Sequence, residues 1–271
     1  MDGRELSVSA SPAFWLAVIA YAVAAVCSCV GFVMADRRWA KVARGALLIA
    51  VVAHGADISW RGFERVHPAA SVREAVGFLA WIIAIGYLAA SWRWPLELAG
   101  AVLIPIVTIM LAGARLSPAG HPQADLTALG RIHISMATVG VAIFALASAL
   151  SAIYLIEDRN LRKKRFDALS FKQPGAPLAG LDRASARLVL AGFPIFTVAL
   201  VLGMLWVSQR GSDRGRPEYP IAMITWLTYA GLLAARVTLG WRGRKTAWLT
   251  LAGFGAALIV LAIYFLRRVT G

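Results

Sequence analysis

The chemistry available to this sequence begins with four histidines, at positions 54, 67, 121 and 133. His54 is followed three residues later by Asp57. On a helix that step is about 300° around, so the two side chains share nearly one face. An imidazole beside a carboxylate suits a metal ligand with its orienting partner, or a site that moves protons. The same pair could also satisfy itself and only pack a bundle. His133 stands in Arg131-Ile-His-Ile-Ser-Met136. His67 and His121 each precede a proline and read as solvated loop residues. Cys27 and Cys29 point about 200° apart on a helix, so they do not form a local disulfide and read as small apolar residues. No HExxH, CxxCH, Walker or GxSxG pattern occurs. Classical zinc hydrolysis, covalent haem attachment to this chain and ATP hydrolysis are therefore without support.

The elements that must position these residues are membrane helices. Of 271 residues 59% are hydrophobic and only 15% charged, with a mean hydropathy of +0.69. Soluble domains carry about 25% charged residues. A soluble enzyme, a secreted disulfide scaffold and a disordered chain are excluded. Apolar runs at 13–35, 43–60, 75–92, 96–114, 132–156, 188–209, 221–239 and 246–266 have the length and non-alternating pattern of membrane-spanning helices. The expected fold is all-α, a polytopic bundle of eight transmembrane helices forming one domain over 1–271. The first run is too long for a signal-peptide core and is expected to stay in place. His54 and Asp57 then fall inside the second span. An aspartate there costs about 2.5–3.5 kcal/mol, so it must face protein, water or a partner. His133 opens the fifth span, at the same membrane face, and the two imidazoles could approach one cavity.

The formal charge of +14 belongs to the connections, where basic residues set topology and meet lipid headgroups. A nucleic-acid partner is not expected. Sixteen basic residues flank one side, including Arg37, Arg38, Lys41, Arg44, Arg93, Arg242, Arg244 and Lys245, against eleven on the other. Both termini are accordingly expected outside the cytoplasm. The only long cytoplasmic connection, about 157–187, carries Arg159, Arg162, Lys163, Lys164 and Arg165. It reads as a stop-transfer and headgroup anchor, or alternatively as a docking site for a soluble partner. Its first half is expected to prolong the fifth helix, and Arg236 to snorkel to the headgroups.

His133-Ile-Ser-Met-Ala, with the apolar run to Tyr154-Leu-Ile-Glu-Asp-Arg, resembles the H-[VI]-S-M segment of CcsA-type cytochrome c assembly proteins. Leu181-Asp-Arg, Arg187, Gly192-Phe-Pro-Ile and Gly203 are similar to that family's L-D, R, G-F-P and G stretch. Ile224-Thr-Trp-Leu, Arg236 and Gly240-Trp-Arg-Gly-Arg-Lys245 resemble its I-T-W-L, R and G-W-x-G-R-K. Order and spacing persist from residue 131 to the last span, whereas residues 1–130 match only as hydrophobic spans. The family's tryptophan-rich motif is absent. Arg210-Gly-Ser-Asp-Arg-Gly-Arg-Pro217 stands in its place, Ala234 replaces the inner-membrane histidine, and the later periplasmic histidine has no counterpart. The pattern resembles the HemX/YpjD-like branch rather than a complete haem lyase.

The resemblance implies non-covalent haem b, with His133 matching an axial ligand to the iron. His54 is a candidate for the second imidazole, and Met136 or Met204 are alternatives. Arg131, Arg115, Arg210, Arg214 and Arg216 are candidate propionate partners on the outer face. The implied function is haem handling in the plasma (inner) membrane of a bacterium, without catalysis of thioether formation. Membrane lipids, haem and other haem-pathway or cytochrome c maturation proteins are the expected partners. Two alternatives remain: a membrane regulator of haem biosynthesis that docks a cytosolic enzyme at 157–187, and a small-molecule or ion transporter using His54 and Asp57.

Overall fold

A computed structural model describes residues 11–63, 66–67, 71–94, 96–116, 127–163, 177–210 and 218–270. They form eight helices: α1 Pro12–Met34, α2 Arg37–Phe63, α3 Val72–Arg93, α4 Glu97–Leu116, α5 Ala128–Arg162, α6 Leu178–Arg210, α7 Glu218–Thr238 and α8 Arg244–Thr270. Each is long and apolar enough to cross a membrane. Among the described residues there is no strand.

Local chemistry sets the ends. Ser11, Ser71 and Thr127 place hydroxyl oxygens under the backbone N–H groups of Phe14, Glu74 and Gly130, capping α1, α3 and α5. Ala35, at φ 54°, reverses the chain between α1 and α2 with only Asp36 to follow. Arg37, Arg38, Lys41 and Arg44, expected in a connection, instead form the first turns of α2. Of the connection expected at 157–187, both ends are helical: α5 runs on to Arg162 and α6 begins at Leu178. Residues 164–176, with Lys164 and Arg165, lie outside the described residues.

Helices α1–α4 pack as a group through the pairs α1–α2, α1–α4, α3–α4 and α2–α3. Helix α5 lies along α6 and α8 and also touches α3, and α7 packs on α8 and α6. Completely buried alanines at 17, 24, 50, 80, 142 and 147 let the backbones approach closely, the usual device of membrane bundles. Large apolar side chains such as Trp15, Ile19, Val52, Ile109, Leu190 and Trp248 point outward, as lipid contact requires. Successive helices run in opposite directions. The start of α1 therefore shares one face of the bundle, here the amino-terminal face, with the ends of α2 and α4 and the start of α5.

Candidate functional site

His133 lies in the second turn of α5, and its imidazole is pressed against α6. Its Nδ1 is 2.7 Å from the carbonyl oxygen of Ala199. A carbonyl can only accept, so Nδ1 carries the hydrogen and, in the neutral ring, the lone pair is left on Nε2. A backbone carbonyl on one ring nitrogen is how ligating histidines are held in tautomer and orientation. One turn beyond Ala199, Gly203 supplies the space for the ring. A Cβ at that position would come 2.6 Å from Cε1 of His133. Trp206 flanks the imidazole, with ring centroids 6.0 Å apart and planes tilted by 39°. Gly130 makes room for Trp206 in turn, since a Cβ there would meet the indole at 2.8 Å. Trp206 carried no motif in the sequence. A tryptophan one turn after a motif glycine, on the same helix face, was the available signal.

Partial burial and the positive charge of Arg131 hold the His67 imidazole below its ordinary pKa. The connection between α2 and α3 thus brings His67 within electrostatic reach of Arg131, two residues from His133, rather than leaving it fully solvated. Met204 is exposed on the bundle surface and is a lipid-facing residue. His121, Arg214 and Arg216 lie outside the described residues, as does the side chain of Arg210.

His54 is 2% exposed and Asp57 3%. Their expected partnership is not the one formed. The Nδ1 of His54 lies 3.4 Å from the hydroxyl of Tyr21, whose ring meets it edge-on. The Asp57 carboxylate accepts from the Ser11 hydroxyl at 2.5 Å and from Arg61 at 2.8 Å. Arg61 also donates to both Glu74 oxygens at 2.6 Å. Arg61, one turn along α2, offers the carboxylate a charge-assisted bond that a neutral imidazole cannot match. His54 and Asp57 do line one cavity among α1–α4, and His133 is not part of its wall.

At the opposite face, Asp182 gathers the remaining motifs. It pairs with Arg236 and accepts from the backbone N–H of Gly243 at 3.0 Å and the Thr246 hydroxyl at 3.2 Å. Gly243, at φ 69°, sits in the turn between α7 and α8. Arg236 is thus tied to Asp182 instead of snorkelling. The L-D, R and G-W-R-G-R-K segments form one knot joining α6, α7 and α8, remote from both histidines.

A family model described as cytochrome C assembly protein matches residues 69–271. The chain belongs to the cytochrome c assembly protein family. It is an integral membrane member of it. The chain is similar to the cytochrome c biogenesis protein CcsA of Synechococcus sp. (strain RCC307), with 28% identity over 240 residues, covering 78% of this chain and 76% of the relative. It is also similar to CcsA of Porphyra purpurea, with 27% identity over 272 residues, 84% of this chain and 85% of the relative. The solved structure of the cytochrome c haem lyase CcmF superposes with a TM-score of 0.65 over 92% of this chain, at 17% identity. That likeness is one of fold. The chain spans only 45% of the lyase's length. His133, Gly203, Asp182 and Arg236 fall within the family match, and His54 and Asp57 outside it.

Proposed function

We propose that this protein binds haem b non-covalently and handles it in cytochrome c assembly, with His133 as an axial ligand to the iron. The observation that carries the reading is the fixed imidazole: Nδ1–H donated to Ala199, the ring seated on Gly203, and Nε2 left with its lone pair. A neutral imidazole with an aromatic neighbour and a nearby arginine is a donor set that suits a haem iron and a propionate. Bound there, haem would supply redox and ligand chemistry of its own. The chain's part is to orient the imidazole, to flank the site with Trp206, and to offer the charge of Arg131. His54 belongs to a separate cavity. We therefore place the iron first on His133, keeping His54 as the second candidate ligand.

We further propose that the chain is not a complete lyase and belongs with the HemX/YpjD-like branch. The support is the arginine-rich stretch from Arg210 to Pro217 where synthases carry tryptophans. Arginine can grip a carboxylate but is no hydrophobic shelf for a macrocycle. We place the chain in a bacterial plasma membrane, and the basic-residue bias supports an orientation with both termini outside the cytoplasm.

The test is an absorption spectrum of detergent-purified protein, oxidised and reduced. His133→Ala is expected to abolish or strongly alter the Soret band at normal expression, with a smaller effect from His54→Ala. Full haem loading and an unchanged spectrum in the His133→Ala protein would refute the assignment.

A further inference from the structure

Two motifs of the sequence, Gly192-Phe-Pro and Ile224-Thr-Trp, meet on the far side of α6 from His133. Along α6, Phe196, Ala199, Gly203 and Trp206 recur every three or four residues and face α5, where they meet Gly140, His133 and Gly130. Thr197 lies about 200° around the helix from Ala199 and about 3 Å from it along the axis. Phe193, one turn earlier, shares the side of Thr197. That side meets α7. The Trp226 indole N–H donates to the Thr197 hydroxyl oxygen at 2.9 Å, and its ring lies 5.5 Å from that of Phe193, tilted by 31°. The Thr197 hydroxyl in turn donates to the Phe193 carbonyl at 2.8 Å. Val201 and Met204, one and two turns further along that side, are exposed to lipid. Between Gly192 and Thr197 the backbone of α6 is interrupted. Pro194 has no N–H to give the carbonyl of Leu190, so the helical ladder lacks one bond there.

We infer that Trp226, acting through Thr197, is a positioning residue for the haem ligand His133. The inference rests on the His133 reading and adds to it a residue on a third helix. The Ala199 carbonyl and the space over Gly203 are backbone features of α6, so the rotation and height of α6 decide whether they meet the imidazole. Packing on α5 holds one side of α6. A helix held from one side can still roll about its axis, and the missing bond at Pro194 loosens the part that carries Ala199, Gly203 and Trp206. A directed hydrogen bond on the opposite side, with a flat ring packed behind it, resists that roll. Further along α7, Arg236 holds Asp182 of α6. Asp182 precedes Pro194 and Thr197 follows it. Helix α7 therefore splints the weak point of α6 and fixes the seat of the imidazole beyond it.

The test uses the full-length protein in detergent, carrying isotope-labelled histidine. The Nδ1 proton of His133, identified by its loss in His133→Ala, is read by NMR without haem, and haem affinity by titration at the Soret band. Trp226→Phe keeps a ring against Phe193 and removes the N–H. The Nδ1 proton should then shift upfield and exchange faster with solvent, and haem should bind about fivefold more weakly, the worth of one hydrogen bond. Thr197→Val removes the acceptor at nearly constant volume and should do the same, and the two changes together should cost no more than either alone. Thr197→Ser, which keeps the hydroxyl, should restore the parental signal and affinity. Trp248→Phe, at a lipid-facing tryptophan of α8, should change neither quantity. An unmoved Nδ1 signal or an unchanged haem affinity in both single variants overturns the inference, even if thermal stability falls, because Trp226 would then only hold the bundle together. Additive losses in the double variant overturn it as well. If the Nδ1 signal responds as expected but the parent binds no haem, the His133 reading fails and the control of its imidazole by Trp226 stands.

Discussion

Replacing Gly203 with alanine tests whether the seat of His133 matters without touching the histidine. The new Cβ would stand 2.6 Å from Cε1, 3.0 Å from Nδ1 and 3.3 Å from Nε2 of the ring. Non-bonded carbons settle at about 3.5 Å or more, so the imidazole or its helix must give way by about 0.9 Å. The bond from Nδ1 to Ala199 is 2.7 Å long. A displacement of that size carries it to about 3.6 Å, beyond hydrogen-bond range. The loss is about 1 kcal/mol for the bond itself. For a ligating histidine, losing its orienting partner typically lowers metal affinity by about 10- to 100-fold. Alanine also gains about 1 kcal/mol over glycine within a helix. The two effects oppose each other in overall stability, so thermal unfolding should change little while haem affinity falls. Gly231 in α7 is the control, since a Cβ there meets nothing within 4 Å. Gly231→Ala should leave haem untouched. Haem titration followed at the Soret band, with thermal unfolding alongside, reads both quantities. Native haem affinity and spectrum in Gly203→Ala would refute the role given to the Ala199 bond and the glycine seat.

Asp182→Ala leaves Arg236, at 18% side-chain exposure, without its counter-ion and should destabilise the bundle by about 3 kcal/mol. Thermal unfolding measures this, and Arg236→Met added to it should restore most of the loss; a single variant as stable as the parent would show that the knot is not a holdfast. Reporter fusions after Arg165 and after Gly271 should report cytoplasm and periplasm respectively, and a cytoplasmic carboxyl terminus would overturn the proposed orientation. Expressed alone in a host lacking its cytochrome c synthase, the chain should form no holocytochrome, even with added haem. Covalently attached haem on a reporter cytochrome would refute the argument from the missing tryptophans.

Hydropathy alone delivered all eight spans, and two of them almost to the residue, because lipid demands about 20 apolar positions from each helix wherever it packs. The fifth and sixth helices, by contrast, run up to ten residues beyond their apolar runs. The run at 13–35 is α1, Pro12–Met34, and the run at 96–114 is α4, Glu97–Leu116. The second run fell short. Arg37, Arg38, Lys41 and Arg44 are good helix formers that hydropathy counts as loop, and the left-handed Ala35 lets α2 begin after a two-residue turn. His133 was legible from its motif. That Gly203 is its seat, Ala199 its acceptor and Trp206 its neighbour was not, since all three depend on how α6 is rotated against α5. The His54–Asp57 pairing failed for the same reason. Spacing placed both on one face, but the carboxylate found Ser11, 46 residues earlier, and Arg61 one turn on. Arg236 shows the contrast in one residue: sequence made it a cation near a membrane edge, and only the approach of α6 supplied Asp182 as its partner. Burial is a local property that one dimension records. Partner choice among buried polar groups belongs to helix rotation and register, which the packing of small residues decides.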